Sequence, residues 1–347
     1  MLKSSGYAAA ELGSTLVPFN FTRREPDSQD ITVEILFSGV CHSDLSMVNN
    51  EWGYSQFPLV PGHEIIGRVT AVGAEVKKFK IGDIAGIGTV VDSCRTCTNC
   101  IADLEQFCLH YCTQTYGSRD RKCESVMTYG GYSDNYVVDQ RYAHKIPEGM
   151  DPAAAAPLLC AGITTYSPLR HWKVGPGQKI GIVGLGGLGH VAVKFAHAMG
   201  AQVVVFTTSP GKEADAKRLG ADEVALSTDP AQMQAYTGTL DFILDTVAAQ
   251  HDLNIYMSLL KTDGTMCLVG MPGEALPLLA YSVVFGRKNL SGSGVGGMAE
   301  TQEMLDFAGE HGIGAEIELI KMQDINTAFE RLRRNDVKYR FVIDMKA

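Results

Sequence analysis

The amino-acid sequence predicts an α/β protein built as two domains, a barrel-like β domain followed by a doubly wound parallel sheet. Three observations carry that reading. The chain of 347 residues is long for one hydrophobic core. Its first part is rich in short apolar runs broken by glycine and proline. From near Gly162 the rhythm changes to alternating strand and helix.

Taken in order, the runs 31–37, 65–72, 84–87 and 136–138 are short strands at close spacing, as in a mostly antiparallel barrel. After the changeover, 179–183 reads as a strand and 188–199 as a helix with Val191, Phe195 and Met199 on one face. Strands at 202–206, 241–244, 265–269 and 289–291, with helices at 214–219 and 253–260, make up the five or six parallel strands of a Rossmann sheet. The glycine-rich run 291–297 reads as a hinge. Beyond it, a helix at 301–310 and a strand at 341–343 are too little for a core of their own, so the tail is expected to rejoin the first domain. The expected division is 1–160 with 297–347, and 161–296.

A formal net charge of −9, with 45% hydrophobic and 20% charged residues, describes a globular chain and argues against a nucleic-acid surface, which needs clustered cations to displace counterions from phosphates. No stretch reaches the roughly 18 uninterrupted apolar residues of a membrane span. The longest candidate, 275–285, contains Pro277 and several small or polar residues. The opening MLKSSGYAAA has no apolar export segment. A cytoplasmic protein is expected, with neither membrane nor nucleic acid as partner. Nine cysteines here point to metal rather than disulfides, since four crowd between Cys94 and Cys108 with no export signal ahead of them.

Gly184, Gly186 and Gly189 form G-x-G-x-x-G, enclosing Gly187 and Leu188, between the strand at 179–183 and the helix that follows. In that context the first glycine serves a tight turn, the second lets backbone approach a pyrophosphate, and the third packs helix on strand, with the helix N-terminus toward the anion. The alternative is a glycine-rich turn that holds nothing. The next strand ends in Thr207, Thr208 and Ser209, where an NAD site carries an acid for the ribose 2′-hydroxyl. Hydroxyls with Lys212 suit a 2′-phosphate instead, so NADP(H) is the expected cofactor. Lys212, Lys217 and Arg218 also fit an ordinary solvated helix face.

Cys94, Cys97, Cys100 and Cys108 give C-x2-C-x2-C-x7-C in a polar loop. Four thiolates so spaced can enclose one tetrahedral Zn²⁺ with no open position, a structural site; free thiols or disulfides are the alternative. Cys112 and Cys123 fall outside the spacing and receive no role. A second set is dispersed: Cys41 in GVCHSDL, His63 with Glu64 in PGHEIIG, and Cys160 in PLLCAGIT. Singly, each is an ordinary core cysteine or a hydrogen-bonded histidine. Together they match a Cys2His catalytic zinc with a fourth position free. Chain order would put that metal in the cleft beside the nicotinamide.

These motifs, with PGHEIIGRVTAVG, GLGGLGH and DVKYRFVID, resemble the zinc-containing medium-chain dehydrogenase/reductase family, nearest its cinnamyl alcohol dehydrogenase branch with its bacterial aldehyde reductases. The resemblance spans nearly the whole chain. It implies a GroES-like catalytic domain, a Rossmann domain, two zinc ions per chain and a homodimer. It assigns Cys41, His63 and Cys160 to the catalytic zinc and makes Glu64 an alternative ligand. Asp44 would orient His63, Ser43 would relay the proton, and Arg340 would lie near zinc and cofactor. Thr207, Thr208, Ser209 and Lys212 fall where this branch holds the 2′-phosphate.

The implied reaction is hydride transfer between NADP(H) and an alcohol/aldehyde pair of medium size, aliphatic or aromatic. Two departures stand out. Ser46 occupies a position where relatives carry the histidine that ends the proton relay, and a serine cannot accept that proton near neutral pH. Gln114 aligns with a tryptophan of plant lignin enzymes, so a monolignol-specific pocket is not implied. Trp52 would line the pocket or serve as packing. The rival readings are a zinc-free quinone or enoyl reductase of the same superfamily, against which Cys41, His63 and Cys160 stand, and a non-enzymatic structural or sensor relative.

Overall fold

Asp30–Val40 is the strand on which the first unit is built. Its Ile31, Val33 and Ile35 alternate inward and are buried. It pairs antiparallel with Ile65–Val72, Asn135–Asp139 and Arg340–Asp344. Ile84–Ile87 and His144–Lys145 extend the sheet on one side, and Ile317–Lys321, parallel to Arg340–Asp344, ends it on the other. The C-terminal strand thus shares a sheet with residues some three hundred positions earlier, Phe341 opposite Val40. The computed structural model describes residues 1–347, and its first unit comprises Met1–Ile163 and Gly296–Ala347.

The second unit, Thr164–Val295, carries six parallel strands. Their order is Glu223–Leu226, Gln202–Thr207, Lys179–Val183, Leu240–Asp245, Leu260–Leu268, Asn289–Gly292. The chain starts in the middle, runs out to one edge, then returns to fill the other, which creates a switch point at the carboxyl ends of Lys179–Val183 and Leu240–Asp245. Val203, Val204, Val205 and Phe206 are consecutive and all buried, as a strand covered on both faces requires. Phe195 on the helix Gly189–Ala198 is fully buried, a contribution of about 1.5–3 kcal/mol from one side chain.

The structure departs from the sequence reading in several elements. Met199 is the half-buried C-cap of its helix rather than a core residue. Leu260 opens a strand instead of closing a helix, because Leu253–Leu259 runs into Leu260–Leu268 with no intervening loop. Residues 291 and 292 of the supposed hinge belong to the edge strand Asn289–Gly292. The following helix begins at Met298, one turn before Thr301. The hairpin Leu2–Ala9 with Leu16–Arg23, the strand Glu223–Leu226 and the helices Ala161–His171 and Ile325–Arg333 were not foreseen. Pro168 lies inside Ala161–His171, and the helix runs through it.

Candidate active site

Cys41, His63, Glu64 and Cys160 converge in the first unit. One donor atom from each lies within 4.8 Å of the others, and all four residues are buried. The elements explain the convergence. Cys41 directly follows the central strand and serves as N-cap of the helix His42–Val48, with Asp44 returning a carboxylate to the Cys41 N–H at 3.0 Å. His63 and Glu64 lead into Ile65–Val72, the neighbouring strand. Cys160 caps the short helix Ala156–Leu159.

The electrostatics are those of a site built for a cation. A hydrogen bond from the Cys160 thiol, together with the charges of Arg340 and His63, holds Cys41 well below its ordinary value, while the same contact and burial push Cys160 up. Burial opposes protonation of His63, but the Asp44 carboxylate 3.0 Å from Nδ1 outweighs it and raises the imidazole well above its usual range. With Nδ1 given to Asp44, Nε2 is the nitrogen left for a ligand. Burial pushes Glu64 up to about 8 against the pull of Arg340. Its Oε1 accepts from Arg340, whereas Oε2 is buried without any partner. Two thiols, an imidazole and an orphaned carboxylate oxygen in one buried cluster fit a zinc ion in borderline-soft coordination.

Ser43 is half-buried, with Oγ 3.6 Å from Cys41 Sγ. Ser46 donates to Glu51 Oε2 at 2.7 Å, and that bond holds the Glu51 carboxyl below its ordinary value. Arg340 is 3% exposed and donates to Glu64 and to the Val40 carbonyl, at 3.0 Å. Trp52 stacks on Tyr54 and packs against the core around Leu45 and Phe329, which favours the packing role. Sequence reasoning missed Tyr116 and Tyr132, whose hydroxyls both donate to Asp44. Buried tyrosines carry no periodic signal that would distinguish them from packing.

The four remaining cysteines of interest gather in the loop after Val90–Asp92. Their sulfurs also lie within 4.8 Å of one another. Cys94 and Cys100 are 3.8 Å apart, the S–S edge of a tetrahedron with Zn–S bonds of about 2.3 Å. All nine cysteines are free. Backbone N–H groups of Thr96 and Cys97 pull Cys94 down to about 5, whereas burial pushes Cys100 up to about 12. Arg95 ties this loop to the sheet by bridging Asp92 at 2.8 Å and Asp139 at 3.1 Å.

In the second unit the glycine turn has the geometry a dinucleotide needs. Gly184 has φ +88°, and a Cβ at Gly189 would sit 2.0 Å from the Gly184 carbonyl oxygen. A Cβ at Gly186 would meet nothing within 4 Å, so that backbone faces open space. His190 Nδ1 reaches the Gly186 carbonyl at 3.0 Å and steadies the turn. Gly187 and Leu188 are half-buried beside it. At the end of the next strand Thr207 is buried and its Oγ1 accepts from the Ser209 N–H at 3.2 Å. Thr208 is exposed and Ser209 half-buried. Lys212 Nζ donates to the Leu185 carbonyl at 2.8 Å, joining that corner to the glycine turn.

The switch-point loop adds a feature not foreseen from sequence. Thr246 Oγ1 donates to Val183 O at 2.8 Å and braces the turn. Asp245 accepts from Val247 N–H and from His251 Nε2, at 2.8 Å, while His251 Nδ1 donates to the Ala249 carbonyl at 2.8 Å. Both ring nitrogens face acceptors, and the hydrogen bond to Asp245 raises His251 above its ordinary value. A raised histidine stabilises the fold fully below its unfolded value of about 6.5 and loses that contribution as pH rises through the folded value. The melting temperature of His251→Gln is therefore expected to lie a few degrees below wild type at pH 6, the effect of about 1 kcal/mol of charge-assisted bonding. The gap should close toward alkaline pH, as followed by thermal denaturation; a gap that widens with pH contradicts the assignment.

Fold and site define a metal-dependent, dinucleotide-linked oxidoreductase. Residues 27–148 match the family model of the alcohol dehydrogenase GroES-like domain, and 187–310 that of the zinc-binding dehydrogenase. The aldehyde reductase YahK of Escherichia coli is 52% identical over 347 residues, covering 99% of this chain and 98% of that protein. A cinnamyl alcohol dehydrogenase of Sorghum bicolor superposes with TM-score 0.97 at 48% identity, covering 99% and 98% of the two chains. The CAD of Helicobacter pylori, solved with NADP(H), gives 0.93 at 41%, covering 99% of each. The chain belongs to the zinc-binding alcohol dehydrogenases, in the cinnamyl alcohol dehydrogenase branch, and is an oxidoreductase of alcohol/aldehyde pairs. No helix is long and apolar enough to cross a membrane.

Proposed function

We propose that this protein is an NADPH-linked aldehyde reductase of medium-sized, uncharged aldehydes, aliphatic or aromatic. The observation that carries the reading is the buried cluster of Cys41, His63, Glu64 and Cys160 with Ser43 beside it. Cys41, His63 and Cys160 hold one zinc ion, with Glu64 Oε2 as an alternative ligand, and Cys94, Cys97, Cys100 and Cys108 hold the other. Bound zinc supplies Lewis acidity toward the substrate oxygen, and bound NADPH supplies the hydride.

The residues of the chain do the rest. Asp44 fixes His63 as the Nδ1–H tautomer. Ser43 hands a proton to the substrate oxygen on reduction and receives it on oxidation; Ser46, already donating to Glu51, links that edge of the helix to a carboxylate. Arg340 is the counter-ion of Glu64, and its role toward the cofactor is exerted from that fixed position. The backbone of Gly184, Gly186, Gly187, Leu188 and Gly189 holds the pyrophosphate at the start of its helix. Thr208, Ser209 and Lys212 hold the 2′-phosphate, while Thr207 keeps the corner in shape.

Initial rates on a panel of aldehydes, with NADPH and NADH in parallel, test the reading. Wild type should prefer NADPH. In Ser209→Asp a carboxylate would oppose the 2′-phosphate, and KM for NADPH should rise about 10-fold or more with kcat little changed. An unchanged KM for NADPH would place the phosphate elsewhere.

Within the same proposal, the protein works in the cytoplasm as a homodimer. Asn289–Gly292 is an edge strand, and Leu279, Tyr281, Val284 and Phe285 just before it are more than half exposed, a patch of the kind that marks an interface. Replacing both Val284 and Phe285 by Asp should convert a dimer to a monomer in sedimentation, with the fold intact by circular dichroism. A wild-type monomer would end this part of the proposal.

A further inference from the structure

Asp44 is fully buried and is met by five donors: the N–H groups of Cys41 and Gly62, the His63 ring, and the hydroxyls of Tyr116 and Tyr132. They divide between its oxygens. Oδ1 takes Gly62 N–H at 3.0 Å, His63 Nδ1 at 3.0 Å and Tyr116 OH at 2.8 Å. Oδ2 takes Cys41 N–H and Tyr132 OH, both at 3.0 Å. A carboxylate offers roughly four lone-pair directions, so every one is used. Three of the donors come from the metal ligands or the residue before one; the two phenols come from segments 72 and 88 positions away.

The phenols have no other use for their hydroxyls. Tyr132 is fully buried and Tyr116 is 6% exposed, both in the apolar cluster with Leu45, Met47 and Leu59. Phenylalanine would fill the same space. Burial, with the Asp44 charge, pushes both phenols well above their ordinary value, so each remains a donor.

We propose that Tyr116 and Tyr132 are positioning residues for the catalytic metal, holding the two oxygens of Asp44 so that one fixes the His63 tautomer and the other fixes Cys41 at the start of its helix. The proposal rests on the reading that Cys41, His63 and Cys160 bind zinc. Without one hydroxyl, the buried carboxylate loses a charge-assisted bond and part of the constraint on its rotation about the Cβ–Cγ bond. His63 and Cys41 then sample geometries that do not converge. Asp44 is one bond beyond the ligands, where partners change metal affinity by about 10–100-fold, and the two tyrosines act through it. The four-thiolate site shares none of these contacts and should not respond.

That contrast makes the test internal to one molecule. Zinc transfer from the holoenzyme to a chromogenic chelator is followed for wild type, Tyr116→Phe and Tyr132→Phe, with Cys160→Ala marking which phase belongs to the catalytic site. The expected result is two phases in wild type, with the phase absent from Cys160→Ala released at about 10-fold lower chelator concentration in at least one tyrosine variant. The other phase should stay in place, and the melting temperature should stay within a few degrees. Unaltered release in both variants overturns the proposal, and so does a parallel shift of both phases, which marks general loosening. A single zinc in wild type overturns instead the zinc reading on which it rests.

Discussion

Cys160→Ala is expected to retain the fold and one zinc per chain while losing the other zinc and nearly all aldehyde reduction. The residue sits where the helix Ala156–Leu159 ends, 8% exposed, with its sulfur in the cluster of Cys41, His63 and Glu64. Removing it leaves Cys41 and His63 with Glu64 Oε2 as the one further donor, on a carboxyl held through Oε1 by Arg340, a weaker set than the two thiolates and imidazole of the intact site. The Lewis acidity so lost stands for several kcal/mol at the transition state, and about 4 kcal/mol corresponds to roughly a 10³-fold fall in kcat/KM. The four cysteines from Cys94 to Cys108 share no side chain with this cluster, so their zinc should remain. Metal content by mass spectrometry with initial rates decides the matter. Full activity in the variant with one zinc lost would remove the metal from the mechanism and favour a zinc-free reductase; two zincs retained would show that Cys160 is not an essential ligand.

What the sequence disclosed about this site, and what it did not, follows from the range of each signal. The four cysteines and the glycine turn are local, each ligand a few residues from the next, so spacing alone carries the chemistry. The strands that alternate, such as Asp30–Val40, or are apolar throughout, such as Gln202–Thr207, were legible from side-chain pattern. Leu2–Ala9 was not, since Lys3, Ser4 and Ser5 interrupt its alternation and its partner strand supplies the pairing. Ile325–Arg333 could have been found: Ile325, Ala328, Phe329 and Leu332 are buried at helical spacing. Cys41, His63 and Cys160 are scattered, and only their donor types, taken with the family resemblance, joined them before the sheet brought them together. Tyr116, Tyr132 and the ion pair of Glu64 with Arg340 have no local signature at all. They are contacts made by the fold between segments 72 to 276 positions apart.

The Arg340 pair yields the largest expected effect on stability. Glu64 is fully buried and Arg340 is 3% exposed, with a second bond from Arg340 to the Val40 carbonyl at 3.0 Å. Arg340 opens the C-terminal strand that pairs with Asp30–Val40, so the ion pair also fastens the tail to the central sheet. Arg340→Met keeps most of the apolar stem but takes from Glu64, which burial already pushes up to about 8, the guanidinium that favours its charged form, so that the buried group must stay unpaired or take up a proton. Breaking one partner of a buried pair costs about 3–5 kcal/mol, and the unfolding midpoint should fall by about 10 °C. Replacing both at once, Glu64→Gln with Arg340→Met, removes the stranded charge and should recover a large part of the loss. The coupling between the two substitutions, read from denaturant unfolding of the metal-loaded protein, measures the pair itself. A role of Arg340 at the cofactor predicts something different, a rise in KM for NADPH that the double variant does not repair. Recovery of stability without recovery of KM would show that one guanidinium serves both purposes; additive losses with no coupling would mean that Glu64 tolerates burial without it.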